Sequence, residues 1–157
     1  MNKRSLAREY AFKFVYKHLM PEFLEEKNQI LVNTSKREEA FKLFDHSYHE
    51  QDNEHPDNRI DFASKQFAQE LIVGALSHED VNVAKIIPYL ANSFDKVDKM
   101  NLAVLLLGVY EILNDRETSH GVFINEYVNI AKKYCPNESQ GFINSILDKI
   151  AKENGKQ

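Results

Sequence analysis

Apolar residues recur every three to four positions along most of the 157-residue chain, which is the spacing of helices that bury one face. The first predicted helix covers about 3–20 and is ended by Pro21. The other predicted helices cover about 22–31, 35–48, 60–77, 80–90, 102–113, 122–134 and 139–152. No segment alternates with period two for long enough to predict a strand. The pattern therefore predicts an all-α fold.

Some positions in this pattern carry local predictions. Ser35 and Glu38 have the spacing of a capping box that starts a helix. The polar stretch 46–58 lacks periodicity and is predicted to be a solvated loop. The segment 102–113 is apolar on nearly every side, which is typical of a central buried helix. Asn125 and Asn144 interrupt apolar stretches and are predicted to hydrogen-bond between helices.

Composition supports a helical protein of one domain, spanning 1–157. Glycine (five residues) and proline (four residues) are scarce, so few tight turns are available. The single cysteine, Cys135, excludes an internal disulfide, which fits a reducing compartment. The first residues lack the apolar run of a signal peptide, and the longest apolar run, 102–110, is about half of a bilayer span. A cytoplasmic location is expected.

Charge is unevenly distributed around the net value of −4. Residues 1–20 carry five lysines and arginines against one acid, whereas 45–61 carry six acids against one arginine. A protein that is acidic overall binds nucleic acid only through a local basic surface. The N-terminal segment is therefore the candidate for such a surface.

The first helix places its basic residues in two different settings. At about 100° per residue, Glu9 and the two lysines after it share a polar face, where a solvated surface is expected. Arg4 and Arg8 lie one turn apart over an apolar sector, and Lys3 adds a charge that opposes the helix dipole. These three residues are candidates for contact with an anion. For Arg8, pairing with a buried carboxylate or packing along the core stays open.

Catalytic and metal-binding patterns are missing from the sequence. It contains no Gly-rich phosphate loop, H-E-x-x-H or G-x-S-x-G. His46, His49 and His55 lie near acids, but their spacing fits no standard ligand pattern. Cys135 precedes Pro136 without a nearby motif and is interpreted as a buried or incidental thiol. Neither an enzyme, a metal site nor a cofactor is predicted.

Several strings between residues 4 and 149, in order and at compatible spacing, resemble the NusB transcription-antitermination family. They are Ala7-Arg8-Glu9 with Ala11 and Tyr16, Leu71-Ile72-Val73-Gly74, Pro88-Tyr89-Leu90, Leu107 to Leu113 (LGVYEIL), Ile124-Asn125-Glu126 with Ala131-Lys132, and Phe142 to Lys149 (FINSILDK). No match is seen over 22–60. The resemblance implies an all-α fold of two small helical bundles packed across each other, with lobes of about 1–78 and 79–154.

The resemblance also implies partners. The family binds the boxA element of nascent RNA together with a small-subunit ribosomal protein, NusE. That assembly makes RNA polymerase resist termination, chiefly during ribosomal RNA synthesis. The expected partners are therefore boxA-type RNA, the ribosomal protein and the RNA polymerase antitermination complex, with no membrane, and a homodimer is left open.

Matching the family position by position gives a set of candidate RNA-binding residues. They are Lys3, Arg4, Arg8, Tyr16, Tyr89, Glu138 and Phe142. The basic residues would contact phosphate, the aromatic rings would stack on splayed bases, and Glu138 would accept from base amino groups. Each ring could equally pack in the core. Asn101 lies where the family meets its ribosomal partner.

Departures from the family pattern support an alternative function. Where the family has consecutive arginines, this chain has Arg4-Ser5-Leu6, which thins the cationic patch and lowers the salt dependence of binding. Asn101 and Leu106 replace charged residues that are common in the central helix. The alternative is a helical protein-interaction module of the same fold that has lost RNA binding. A third hypothesis is an enzymatic role by association, because some RNA cytosine methyltransferases carry a NusB-like leading domain. This hypothesis would require the chain to be a fragment.

Overall fold

The computed structural model describes residues 2–51 and 60–155. Their helices are α1 (Lys3–His18), α2 (Leu24–Val32), α3 (Thr34–Gln51), α4 (Phe62–Ser77), α5 (Glu79–Ile86), α6 (Lys99–Asn114), α7 (His120–Tyr134) and α8 (Ser139–Glu153). Short 3-10 turns lie at Pro21–Phe23, Ile87–Tyr89 and Phe94–Lys96. Within the two described ranges there is no strand, so the predicted all-α fold is confirmed.

The chain divides into two compact units. Unit 1 is Met1–Leu76 and contains α1 to α3 and nearly all of α4, and unit 2 is Ser77–Gln157 and contains α5 to α8. The lobe boundary expected near residue 78 lies close to this division. None of the helices in the described part of the chain combines the length with the apolar composition that a membrane span requires.

The core of unit 1 is an aromatic cluster between α1 and α3. Tyr10 and Phe14, one turn apart on α1, both pack edge-on against Phe44, with ring centroids 5.0 and 5.1 Å away. The Tyr10 hydroxyl donates to Asp45 at 3.2 Å, and Lys65 of α4 donates to the same carboxylate at 2.8 Å. Burial, together with Asp45, raises the pKa of Tyr10 far above its usual value. The carboxylate therefore ties three helices together.

The ends of α3 differ from their prediction. Asn33 caps this helix, because its Oδ1 accepts from a backbone N–H of the first turn at 3.0 Å; the capping box at Ser35 is therefore wrong. At the other end α3 continues to Gln51, so the loop predicted over 46–58 is wrong for its first part. Tyr48 extends the apolar stripe there, since its ring packs 4.9 Å from a ring of α1. The rest of the predicted loop lies outside the described residues.

Unit 2 is built around α6. Every residue from Leu102 to Val109 is buried, and α6 packs against α5, α7 and α8, which confirms the prediction of a central buried helix. Gly108 permits a close approach of α8, because a Cβ there would lie 3.0 Å from both methyl groups of Leu147. Tyr127 of α7 donates its hydroxyl to the buried carboxylate of Glu111. Close packing and the hydrogen bond between Tyr127 and Glu111 thus hold α6, α7 and α8 together.

Three polar residues have a burial opposite to their prediction. Glu9, expected on a solvated face, is 6% exposed. The reason is that α1 is buried on all sides from Leu6 to Phe12, so this part of the helix has no polar face. Asn125 and Asn144, expected between helices, are exposed. They lie on the outward faces of α7 and α8, whose buried stripes are formed by other residues.

Candidate nucleic-acid interface

The basic residues predicted to contact RNA gather in unit 1, where α1 and α4 begin. Lys3 Nζ lies 3.0 Å from Asp61 Oδ2 in an exposed ion pair. Arg4 is exposed, and its guanidinium carbon lies 3.7 Å from the ring centroid of Phe67. Arg8 is buried, and its guanidinium carbon lies 5.5 Å from the same centroid. Both guanidinium groups therefore lie near the Phe67 ring. No sequence motif predicts this contact.

The contacts of Lys3 and Arg4 within the protein leave both positive charges able to bind an anion. Asp61 Oδ1 accepts from the backbone N–H of Ser64 at 2.8 Å, and this bond, ahead of the bond to Lys3, lowers the pKa of Asp61 from 3.8 to about 2. An exposed ion pair contributes little, so a phosphate can replace Asp61 at the Lys3 ammonium. A guanidinium stacked on a ring keeps its edge N–H groups directed away from the ring. Arg4 is therefore suited to bind a phosphate.

Tyr16 was predicted to contribute to RNA binding, but it lies elsewhere on α1. Its ring is half-buried and nearly parallel to Phe12, with centroids 6.3 Å apart. At 1.5 Å per residue, position 16 is about 18 Å along the helix axis from Arg4. The structure does not bring Tyr16 beside the arginine pair.

A cleft of about 560 Å³ in unit 2 brings three of the predicted residues together. Asn101, Glu138 and Phe142 line it where α6 and α8 begin. Phe142 is half-buried and Glu138 is exposed. The Oδ1 atom of Asn101 is buried and meets no hydrogen-bond donor among the described residues. An unpaired base requires a ring to stack on and acceptors for its amino groups, and this cleft has both.

Tyr89 lies in unit 2, in a polar cluster that joins α5 to α8. Its hydroxyl donates to Glu153 Oε2 at 2.6 Å, and Lys85 Nζ donates to Glu153 Oε1 at 3.0 Å. Lys149 Nζ lies 5.9 Å from the centroid of the Tyr89 ring. At about 100° per residue, Phe142, Lys149 and Glu153 share one face of α8. Tyr89 and Phe142 are therefore associated with the same face of that helix.

The contacts around Glu153 shift the pKa of Tyr89 and that of Glu153 itself. The hydrogen bond to Glu153 raises the pKa of Tyr89. The same bond, and then the bond from Lys85, lowers the pKa of Glu153. The carboxylate is therefore charged at neutral pH. Sequence reasoning missed Lys85 and Glu153, because a contact between α5 and α8 leaves no signal in local spacing.

The sequence also drew attention to one cysteine and three histidines. Cys135 is half-buried, and burial followed by the nearby Asp98 carboxylate raises its pKa to about 11. His46 is exposed on α3, whereas the side chains of His49 and His55 lie outside the described residues. The part of the chain that is described contains no group of three side chains suited to hold a metal ion.

Comparison with known proteins identifies the family. The model of the NusB family matches residues 5–152. The chain belongs to the NusB family. The transcription antitermination protein NusB of Thermodesulfovibrio yellowstonii is 37% identical over 153 residues, which cover 96% of this chain and 93% of the relative. The protein of the same name from Clostridium botulinum is 38% identical over 88 residues, 55% of this chain and 66% of the relative.

Solved NusB structures share the fold. T. maritima NusB has a TM-score of 0.69 at 26% identity, covering 97% of this chain and 92% of that one. A structure described as antitermination factors NusB and NusE in complex with dsRNA has a TM-score of 0.72 at 23% identity, covering 98% of both chains. The resemblance found in the sequence is therefore confirmed for the family and for the helical fold.

Proposed function

We propose that the chain is a transcription antitermination factor that binds boxA-type RNA together with the ribosomal protein NusE, chiefly in ribosomal RNA synthesis. Membership of the NusB family supports this function, as does the likeness of fold to a NusB that was solved with NusE and RNA. One observation carries it: Phe142, which lines an acceptor-bearing cleft, shares a face of α8 with the cluster that holds Tyr89. The protein acts in the cytoplasm without catalysis, within the RNA polymerase antitermination complex.

The two units have different tasks in this proposal. In unit 1, Lys3 and Arg4 contact RNA phosphates, because both side chains are exposed. Burial of Arg8 beside Phe67 favours the structural one of its two open roles, which is to hold the ring under Arg4. Tyr16 stays a prediction as a further stacking residue.

Unit 2 supplies base recognition and the protein contact. Tyr89 and Phe142 stack on splayed bases, and Glu138 accepts from a base amino group. Asn101, which is half-buried at the start of α6, contacts the ribosomal partner.

Titration of a labelled boxA-type RNA over a salt series, with and without the ribosomal protein, tests the proposal. We expect weak binding by the chain alone and markedly tighter binding with the partner. Arg4→Ala should lower affinity and reduce the slope of log K against log salt by about 0.7, the value for one phosphate contact on single-stranded RNA. Tyr89→Ala should lower affinity roughly 5- to 100-fold, as loss of one stacked base does, with little change in slope.

Matched variants separate these effects from general ones. Tyr89→Phe keeps the ring and should retain most of the affinity, whereas Lys42→Ala removes an exposed charge from α3 and should change neither quantity. Wild-type protein that binds no boxA-type RNA, alone or with the partner, would refute the proposal and favour the protein-interaction module. Variants that all bind like wild type would instead refute only the assignment of residues.

A further inference from the structure

We infer that Lys149, beside the Tyr89 ring, and Lys85, bonded to the same carboxylate as the Tyr89 hydroxyl, form a second RNA-phosphate site in unit 2, and that the Glu153 carboxylate competes with the phosphate there. The inference rests on the proposed function, because the ligand is the backbone of the same RNA. It adds a cationic contact outside the basic N-terminal segment, and it gives Glu153 an inhibitory role. Neither Lys149 nor Glu153 is among the candidate RNA-binding residues matched to the family.

Lys149 lies on the same face of α8 as Phe142 and next to the Tyr89 ring. On α8 it follows Phe142 by two helical turns, about 10 Å along the axis, and its ammonium lies beside the Tyr89 ring. A strand whose bases stack on both rings carries its phosphates across the interval between them. Lys149 is exposed in that interval, so it is placed to meet the backbone.

Lys85 takes part in an exposed ion pair with Glu153. Its ammonium is bonded to Glu153 Oε1 at 3.0 Å, with side chains 37% and 40% exposed. An ion pair this exposed contributes little, so an incoming phosphate can take the ammonium. The cation is thus present at the site, but its charge is balanced by Glu153 until RNA arrives.

The Glu153 carboxylate places a negative charge next to both Tyr89 and Lys85. One of its oxygens holds the Tyr89 hydroxyl and the other holds Lys85, so a phosphate near either group meets a negative charge. Like charges a few ångströms apart repel even in water, although salt screens the effect. Removing the charge while keeping the hydrogen-bond acceptor should therefore strengthen RNA binding.

A charge-neutralising series tests the inference in the full-length protein with boxA-type RNA. Lys149→Gln should weaken binding about two- to fivefold and reduce the salt slope by about 0.7. Glu153→Gln should strengthen binding about two- to fivefold and increase the slope, because Lys85 becomes available to phosphate. Lys85→Gln should have a small effect in the wild-type background and should cancel the gain when combined with Glu153→Gln.

Lys42→Gln, which makes the same charge change at an exposed position of α3, is the control and should leave affinity and slope unchanged. If Lys149→Gln and Glu153→Gln both bind like wild type while Arg4→Ala and Tyr89→Ala bind more weakly, the second phosphate site is refuted and the proposed function stands. If Glu153→Gln weakens binding, the carboxylate positions Tyr89 for the RNA and does not compete with it, which also refutes the inference.

Discussion

In each unit, candidate RNA-binding side chains are held by contacts within the protein before any RNA arrives. The Arg4 guanidinium rests on the Phe67 ring, and the Tyr89 hydroxyl is bonded to Glu153. Ordering a long or aromatic side chain on binding costs roughly 0.5–1.5 kcal/mol, so holding it in advance lowers that cost. The same contacts oppose binding where a ligand must displace them, as at Lys3 and Asp61. The affinity for RNA therefore depends on how readily these side chains exchange a contact within the protein for one with the RNA.

Gly108 and Gly141 give a prediction about single residues in unit 2. A Cβ at Gly108 would meet Leu147 at 3.0 Å and Tyr127 at 3.3 Å, whereas one at Gly141 meets nothing within 4 Å. Leu147 is fully buried and Tyr127 is fixed by its hydrogen bond, so neither can easily move. Overpacking costs about 1–3 kcal/mol, and alanine gains at most about 1 kcal/mol over glycine in a helix.

Gly108→Ala should therefore lower the free energy of unfolding by up to about 2 kcal/mol, while Gly141→Ala should raise it by up to about 1 kcal/mol. Urea unfolding followed by circular dichroism measures both values. Equal stability of the two variants would mean that α8 can shift away from α6.

Candidate residues were predictable from sequence in kind, but their neighbours were not. The aromatic and basic types at positions such as Arg4 and Tyr89 follow from matching the family along the chain. Their contacts with Phe67 and Glu153 join residues that are far apart in sequence, and no local spacing predicts such pairs. Burial of Glu9 was missed for a similar reason, since other helices decide which face of α1 is covered.

Among the helices, those with a clear apolar stripe were predicted within a few residues of their bounds. The stripe of α8 marks Ser139–Glu153 because the positions it buries keep one period throughout. α3 was predicted less well, since its last turns carry mostly polar residues and are stabilised by Tyr48, whose contact with α1 is tertiary. Helix ends depend on capping hydrogen bonds, and three consecutive residues at the start of α3, Asn33, Thr34 and Ser35, have side chains suited to an N-cap.

The N-cap of α3 gives a prediction for this element. Asn33 accepts from the backbone of Lys36 at 3.0 Å, and Ser35 lies inside the first turn. Asn33→Ala should lower the free energy of unfolding by about 0.5–2 kcal/mol, the usual cost of a lost N-cap. Ser35→Ala should change it by less than about 0.5 kcal/mol, as surface substitutions do. Thermal and urea unfolding of both variants decide the point; a larger loss for Ser35→Ala would restore the capping box.

For the whole molecule, a net charge of −4 must be reconciled with a polyanionic ligand. Binding of RNA follows local potential more than net charge, because charges beyond about 10 Å are largely screened at ordinary ionic strength. The two units carry separate cationic positions, Lys3 and Arg4 in unit 1 and Lys85 and Lys149 in unit 2. One RNA that engages both units would gain from the second contact being intramolecular.

Shortened RNAs give a prediction about both units together. If one boxA-type RNA spans both units, removing nucleotides from one end should abolish the effect of Arg4→Ala while that of Tyr89→Ala persists. Removal from the other end should do the reverse, because each unit then faces an RNA that lacks its contacts. The affinity of each truncated RNA for wild type should fall to that of the single unit it still reaches. Fluorescence anisotropy with nested sets of RNAs measures these affinities. If both substitutions weaken binding equally for every truncated RNA, the two units do not read separate parts of one strand, and Arg4 and Tyr89 act on the same few nucleotides.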